Sequence, residues 1–486
     1  MTIKELRILP PLAIGRLGSA PEPLDNYEVE VDPRQPLGFR RLRPAETLFV
    51  DARTGEISHA SVPSEVRFKS DGRIRPVAPF LEVWALVDEG SLVPLTTQLL
   101  AEHGLTPADV RWRAHLGNIK IFRRTGEVGD KILADTGLFS DHAAHALEGQ
   151  CPHFREGKSL PLGTVRYIKP TEAFPEIRLR FMPAAGKIYG STPDQPWLGS
   201  KDPRSREPDP NISEVIYDPQ KGKWLGFHDA IPNPPDDKSA RLTNPANIYA
   251  GDPDGDFWKS RGYLDDECDG LIFVQLQLKG ADQPLQAFAR LGAGPPAFAP
   301  DSFPVRTVAD DLEQALLGPV ADANDASLAD EAEETVRRAF ESVRLMNTAV
   351  MNGNSVNGQF DVASTMSRQD NGDTGRVFEP IMATSLVDTL AVRDLHQNVL
   401  TALRSGTAPW FGAVLRDFNE VGDLSDKGRR KMPAMMRGAD GRALALTRRQ
   451  VDAIRKAAQR VLFQGPRSTS QEAVASGPAE KDEETR

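Results

Sequence analysis

The sequence predicts an α+β protein: a β-rich, loop-heavy domain over 1–305, a mainly helical domain over 306–463 and a disordered tail over 464–486. Three observations lead there. Short apolar runs bounded by Pro, Gly and Asp fill the first 300 residues, capped amphipathic segments begin near 307, and polar residues without a period follow Phe463. Gly and Pro, 39 each in 486 residues, exceed ordinary usage and favour turns over long uninterrupted helices.

In the first domain, EVWALV (82–87), IKIF (119–122), RLRFM (178–182) and LIFVQLQLK (271–279) read as strands. In the last of these, Phe273, Gln275, Gln277 and Lys279 alternate with Val274, Leu276 and Leu278, the period of a strand with one buried face. The Pro- and Gly-rich stretch 191–222 reads as a long surface excursion.

In the second domain, TVADDLEQALLGP (307–319) combines a Thr cap, an acidic first turn and a Gly-Pro stop, so it predicts a helix. Residues 327–353 place Val336, Phe340, Val343 and Leu345–Met346 at helical spacing. Helices are also expected at 379–404 and 408–419. LTRRQVDAIRKAAQRVL opens on a capping box from Thr447 to Gln450. VLFQGP (461–466) matches a viral protease site and is left out of the functional reading.

The net charge of −10, spread along the chain, argues against a nucleic-acid partner. No run approaches the roughly 18 apolar residues of a membrane span, and the opening MTIKELRILPPLAIGRLGS lacks the apolar core of a signal peptide. The expectation is a cytoplasmic protein without membrane partners. Two cysteines, Cys151 and Cys268, make at most one bridge.

Candidate chemistry is sparse. Cys268 lies in GYLDDECDG (262–270) among Asp265, Asp266, Glu267 and Asp269, whose charge disfavours a thiolate, so it reads as structural. DPDGD (252–256) starts like a calcium loop, but Phe257 and Tyr263 stand where Gly and a bidentate Glu are needed; it reads as a turn. DHAAHALEGQCPHF (141–154) holds the best ligand set: His142 and His145 on one helix face, with Cys151 and His153 following. Zn, Cu or Fe would accept that set, although the spacing matches no standard zinc signature. GAGPPA (292–297) fails as a dinucleotide turn because prolines follow its glycines. Asp394 and His396 could share an acid–base site or a helix interface, and KGRRKMPAMMRG (427–438) reads as a solvated basic loop.

Several stretches together resemble the lysine ε-oxidase/glycine oxidase family of cysteine tryptophylquinone enzymes. They are ILPPLAIGRLGS (8–19), DGRIRPVAPFLEVW (71–84), HLGNIK (115–120), LGTVR (162–166), GKIYG (186–190), GYLDDECDG, PPAFAPD (295–301) and KMPAMMRGADGRALALTRRQ (431–450). The resemblance implies oxidation of an amino-acid amine, with a cofactor made from a Cys and a Trp in the C-terminal part and a flavoprotein partner assisting. Here the region after Asp301 has no cysteine and only Trp410, so that cofactor is not expected and no catalytic residue carries over. Three readings stay open: a cofactor-lacking relative of the amino-acid oxidases with an amine or amino-acid ligand; a metal-dependent oxidoreductase using His142, His145, Cys151 and His153; and a non-catalytic protein that binds a protein partner or forms a homo-oligomer.

Overall fold

The alternation read between 271 and 279 becomes the centre of a sheet. In a computed structural model, the strand runs over Cys268–Leu276, with Ile272, Val274 and Leu276 buried and the residues between them half-exposed. It ends before Gln277, whose side-chain amide turns to the carbonyls of Leu278 and Ala281. The structure describes residues 2–30, 41–88, 90–191, 212–224, 227–232, 251–254, 257–261, 263–296, 304–343, 386–420, 431–433 and 446–460.

The chain divides into two compact units, residues 1–31 with 40–301, and residues 32–39 with 302–486. Two sheets are the largest of the first unit among the described residues. One orders Ile3–Leu9, Phe80–Val87, Arg178–Pro183, Leu160–Tyr167 and Ala144–Gly149, with Leu92–Pro94 also pairing with Phe80–Val87. The other orders Ile132–Asp135, Val110–Asn118, Cys268–Leu276, Leu285–Gly294 and Leu12–Arg16, the last pair being parallel. In Phe80–Val87 every second residue is buried, as a strand with one wet face requires. Leu81 and Val83 of the first sheet and Trp112 and Val274 of the second join one apolar core.

Two expectations are corrected. IKIF is not a strand: Lys120–Thr125 form a short helix ended by Gly126 at φ +73°. Asn118 turns the chain there by accepting the Lys120 N–H on its side-chain oxygen at 3.0 Å. Nor do His142 and His145 share a helix face. Residues 141–143 form a bend and Ala144–Gly149 a strand that pairs with Leu160–Tyr167. Local spacing suited a helix, but pairing along an existing sheet edge satisfied the backbone instead.

The second unit is helical: Val308–Leu317, Leu328–Val343, Leu386–Ser405, Phe411–Val414 and Arg448–Ala458, the helix expected over 408–419 ending at Val414 because Leu415 is extended and bridges Met432. The capping box read at Thr447 and Gln450 forms, and the Thr307 cap forms as a second capping box, with Asp310. Val336, Phe340, Leu400, Leu403, Phe411 and Ile454 centre a separate core. Among the described residues, then, strand outweighs helix in a mixed α+β chain, and no helix is long and apolar enough to cross a membrane. Residues 192–211, 344–385, 434–445 and 461–486, which include most of the expected excursion, the 344–353 helix end and the tail, lie outside the described residues.

Candidate functional site

The four residues proposed as metal ligands go to separate partners. His142 Nδ1 meets the Tyr167 carbonyl at 3.1 Å, and His145 Nε2 meets Asp141 at 2.9 Å. Cys151 is half-buried, and desolvation, with Asp130 adding to it, pushes its thiol up to about 11. Among the described residues no three His, Cys, Asp or Glu side chains gather as a metal site.

His153 instead enters a cluster that the sequence did not announce. Asp130, at the end of the 3-10 turn Val128–Asp130, is 0% exposed. Its carboxylate accepts Thr125 Oγ1 at 2.5 Å on one oxygen, and His153 Nδ1 at 2.7 Å and the Tyr217 hydroxyl at 2.6 Å on the other. Burial and the bond to Asp130 both push the Tyr217 phenol well above its ordinary value. Tyr217 packs edge-on against Trp224 and, more distantly, against the His153 ring.

Backbone pairing brings these side chains together. The Asp218 N–H donates to the His153 carbonyl at 2.9 Å, Arg155 Nε to the Tyr217 carbonyl at 3.1 Å, and Lys221 Nζ to the Phe154 carbonyl at 3.0 Å. Two glycines leave room for the ring. A Cβ at Gly129 would stand 2.7 Å from His153 Cε1, and one at Gly222 would stand 2.7 Å from Nδ1 and 1.8 Å from the Tyr217 oxygen. With Nδ1 spent on Asp130, Nε2 is the ring nitrogen left to hold or release a proton, and the side chain stays 19% exposed. A buried carboxylate that orients an imidazole is an arrangement suited to acid–base chemistry.

A second assembly surrounds GYLDDECDG. Lys120 Nζ bridges the carboxylates of Asp265 and Glu267, and Asn118 Nδ2 donates to the backbone carbonyls of both residues at 3.0 Å. Asp266 is 1% exposed. One of its oxygens accepts the N–H groups of Gly186 and Lys187 at 3.1 and 2.9 Å, while the other has no partner among the described residues. Burial first, and the Asp265 charge to a lesser degree, push its carboxyl up to about 6. Cys268 is 6% exposed, points its thiol at the Leu162 carbonyl and is pushed up to about 12 by burial and by Asp269 and Asp266. It is a packed residue with no thiolate character at neutral pH.

Three of the stretches that resemble the family meet around this turn. Asn118 and Lys120 come from HLGNIK, Leu162 from LGTVR, and Gly186 and Lys187 from GKIYG. Arg16, of the opening stretch, donates to the Pro295 carbonyl at 3.2 Å and exchanges backbone bonds with Val77. Gly18 N–H bonds the Ala184 carbonyl and Ala20 N–H that of Ile74.

The remaining candidates fall elsewhere. His396 stacks on Phe340 at a 4.1 Å centroid distance, so it is a helix-interface residue, and Asp394 is exposed. Asp252–Asp254 lie in a strand paired with Phe257–Arg261, and Gly292 and Gly294 lie inside the Leu285–Gly294 strand. Of the basic run, Lys431 pairs with Glu420 and residues 427–430 and 434–438 lie outside the described residues. Sequence reading missed Asp130 and Tyr217. Nothing local to EVGDK or VIYDP marks either one.

No protein-family model and no curated protein matches the chain. Among solved structures it is similar to the L-Lys ε-oxidase from Marinomonas mediterranea, at 16% identity over 72% of this chain and 46% of that one, with a TM-score of 0.35. The Schiff base intermediate of the same enzyme with L-Lys gives 17% identity over 63% of this chain and 38% of that one, with a TM-score of 0.31. The chain therefore spans less than half the length of the enzyme it matches.

Proposed function

We propose that this chain is a distant relative of the quinone-dependent amino-acid oxidases that works without a tryptophylquinone, binds a small amine or amino acid, and uses His153 to handle its proton. What supports the relationship is the meeting, around Asp265–Cys268, of HLGNIK, LGTVR and GKIYG, three stretches far apart in the sequence that each resemble the family. In this chain they serve as mutual hydrogen-bonding partners, with Lys120, Asn118 and the Gly186–Lys187 amides spent on the turn.

The cofactor chemistry of the family does not suit the residues present. A cysteine–tryptophan cross-link needs both partners together, and the part of the chain after Asp301 offers Trp410 and no cysteine. Cys268 has its thiol on the Leu162 carbonyl. The group available for proton handling is His153, oriented by Asp130. An amine binds as an ammonium, and Nε2, the ring nitrogen not bonded to Asp130, can accept a proton from it.

The test uses the purified full chain. A colourless preparation that does not stain for redox-cycling quinone is expected, together with a rise in melting temperature with one member of a panel of amines and amino acids. That rise should be lost in His153→Asn. A visible quinone band would overturn the cofactor-free reading. Absence of any stabilisation across the panel would overturn the amine-binding one.

A further inference from the structure

A groove of about 420 Å³ opens in the first unit among residues 22–25, 49, 61–71 and 75, apart from the residues described above. A buried ion pair lies in its lining. Arg75 and Asp25, with side chains 9% and 7% exposed, form a bidentate pair at 2.5 and 2.9 Å, and Arg75 also donates to the Arg67 carbonyl at 3.2 Å. Arg75 Nε is buried and has no acceptor among the described residues.

The lining charges sort into spent and unspent. Arg75 is used by Asp25, and Arg67 by Glu65 at 2.6 Å. Glu22, Asp71 and Lys69 also line the groove, are exposed, and form no ion pair among the described residues. Asp71 stands at the tip of the hairpin joining Lys69–Ser70 to Arg73–Ile74, in the left-handed region at φ +49°. Phe49 supplies an apolar wall and Ser61, Ser64 and Ser70 supply hydroxyls.

A ligand of one charge sign would meet like charge among these three residues. A molecule with both signs, its ammonium toward Glu22 and Asp71 and its carboxylate toward Lys69, satisfies all three groups. The volume suits a small molecule. We infer that this groove is a binding site for a short zwitterion bearing one amine and one carboxylate on an aliphatic chain that lies along Phe49. The inference draws on none of the residues around His153, so either reading can fail without the other.

Isothermal titration of the full chain with 4-aminobutanoate, butylamine and butanoate tests it. The zwitterion should bind at least about tenfold more tightly than either singly charged analogue, since each end adds a charge-assisted contact. Asp71→Asn, which tolerates the same backbone conformation, should bring its affinity down toward that of butanoate. Lys69→Gln should bring it down toward that of butylamine. Both groove positions are exposed, so the melting temperatures of these variants should stay at the wild-type value. Equal binding of all three probes, no binding, or affinity indifferent to both groove variants would overturn the site.

Discussion

Asp130 and Asp266 are both carboxylates with essentially no exposure, in the same unit, yet their surroundings are opposite. Asp130 receives a hydroxyl on one oxygen and an imidazole and a phenol on the other. Asp266 receives two backbone amides on one oxygen and, among the described residues, nothing on the second, with Asp265 beside it and its carboxyl pushed up to about 6. Depth alone therefore says little about a buried acid. The number and kind of donors decide whether its charge holds a structure together or strains it.

Replacing Asp130 should produce the largest effect. Asp130→Ala leaves a phenol and an imidazole N–H buried without their acceptor and should cost about 3–4 kcal/mol in urea-unfolding experiments. A loss below about 1 kcal/mol would mean that the cluster rearranges freely and that the contrast with Asp266 is false.

Asp266→Asn should act in the opposite direction and depend on pH. The folded carboxyl titrates near 6, above its ordinary value of 3.8, so the folded state holds a proton that the unfolded chain has already released. This group's contribution to stability therefore falls as pH rises from about 4 through 6. Asparagine keeps an oxygen for the Gly186 and Lys187 amides without the charge. The variant should be more stable than wild type by about 1–3 kcal/mol at pH 8, the advantage vanishing below pH 4. Thermal unfolding from pH 4 to 8 measures this, and a pH-independent difference between the two proteins would contradict it.

Tyr217→Phe sharpens the comparison from the other side. It takes one donor from Asp130 and leaves the other two, so a loss of about 1–2 kcal/mol is expected, well under that of Asp130→Ala. The smallest effect concerns the cysteines. With both thiols pushed up, to about 11 for Cys151 and about 12 for Cys268, iodoacetamide at pH 8 should label the native protein far more slowly than the urea-unfolded chain. Rapid labelling of native Cys268 would show that its packing against Leu162 is loose.

The same contrast explains what could be read in advance. The Cys268 assignment as structural followed from four neighbouring carboxylates, and the packing bears it out. The Thr307 and Thr447 caps were legible because their partners stand three residues away. Asp130 was not, because Tyr217 lies 87 residues further along the chain. Asp266 looked like one more polar turn residue in DDECDG. Its burial is imposed by the Gly186–Lys187 segment, which nothing near 266 indicates. The 141–149 stretch was misread for a related reason: its histidine spacing fitted a helix, but the edge of Leu160–Tyr167 took it as a strand.

The sequence by itself determined the mixed α+β character, the buried faces of strands such as Phe80–Val87 and Cys268–Leu276, the helix caps, and the scarcity of cysteine. Each of these depends on residues a few positions apart, where backbone geometry dictates who meets whom. Only the tertiary structure decided which acids are buried, which histidine gains an oriented nitrogen, and which charges of the Glu22–Arg75 groove remain unpaired. Those outcomes depend on contacts between distant segments, and they are energetically decisive because a buried charge must find its donors within the fold.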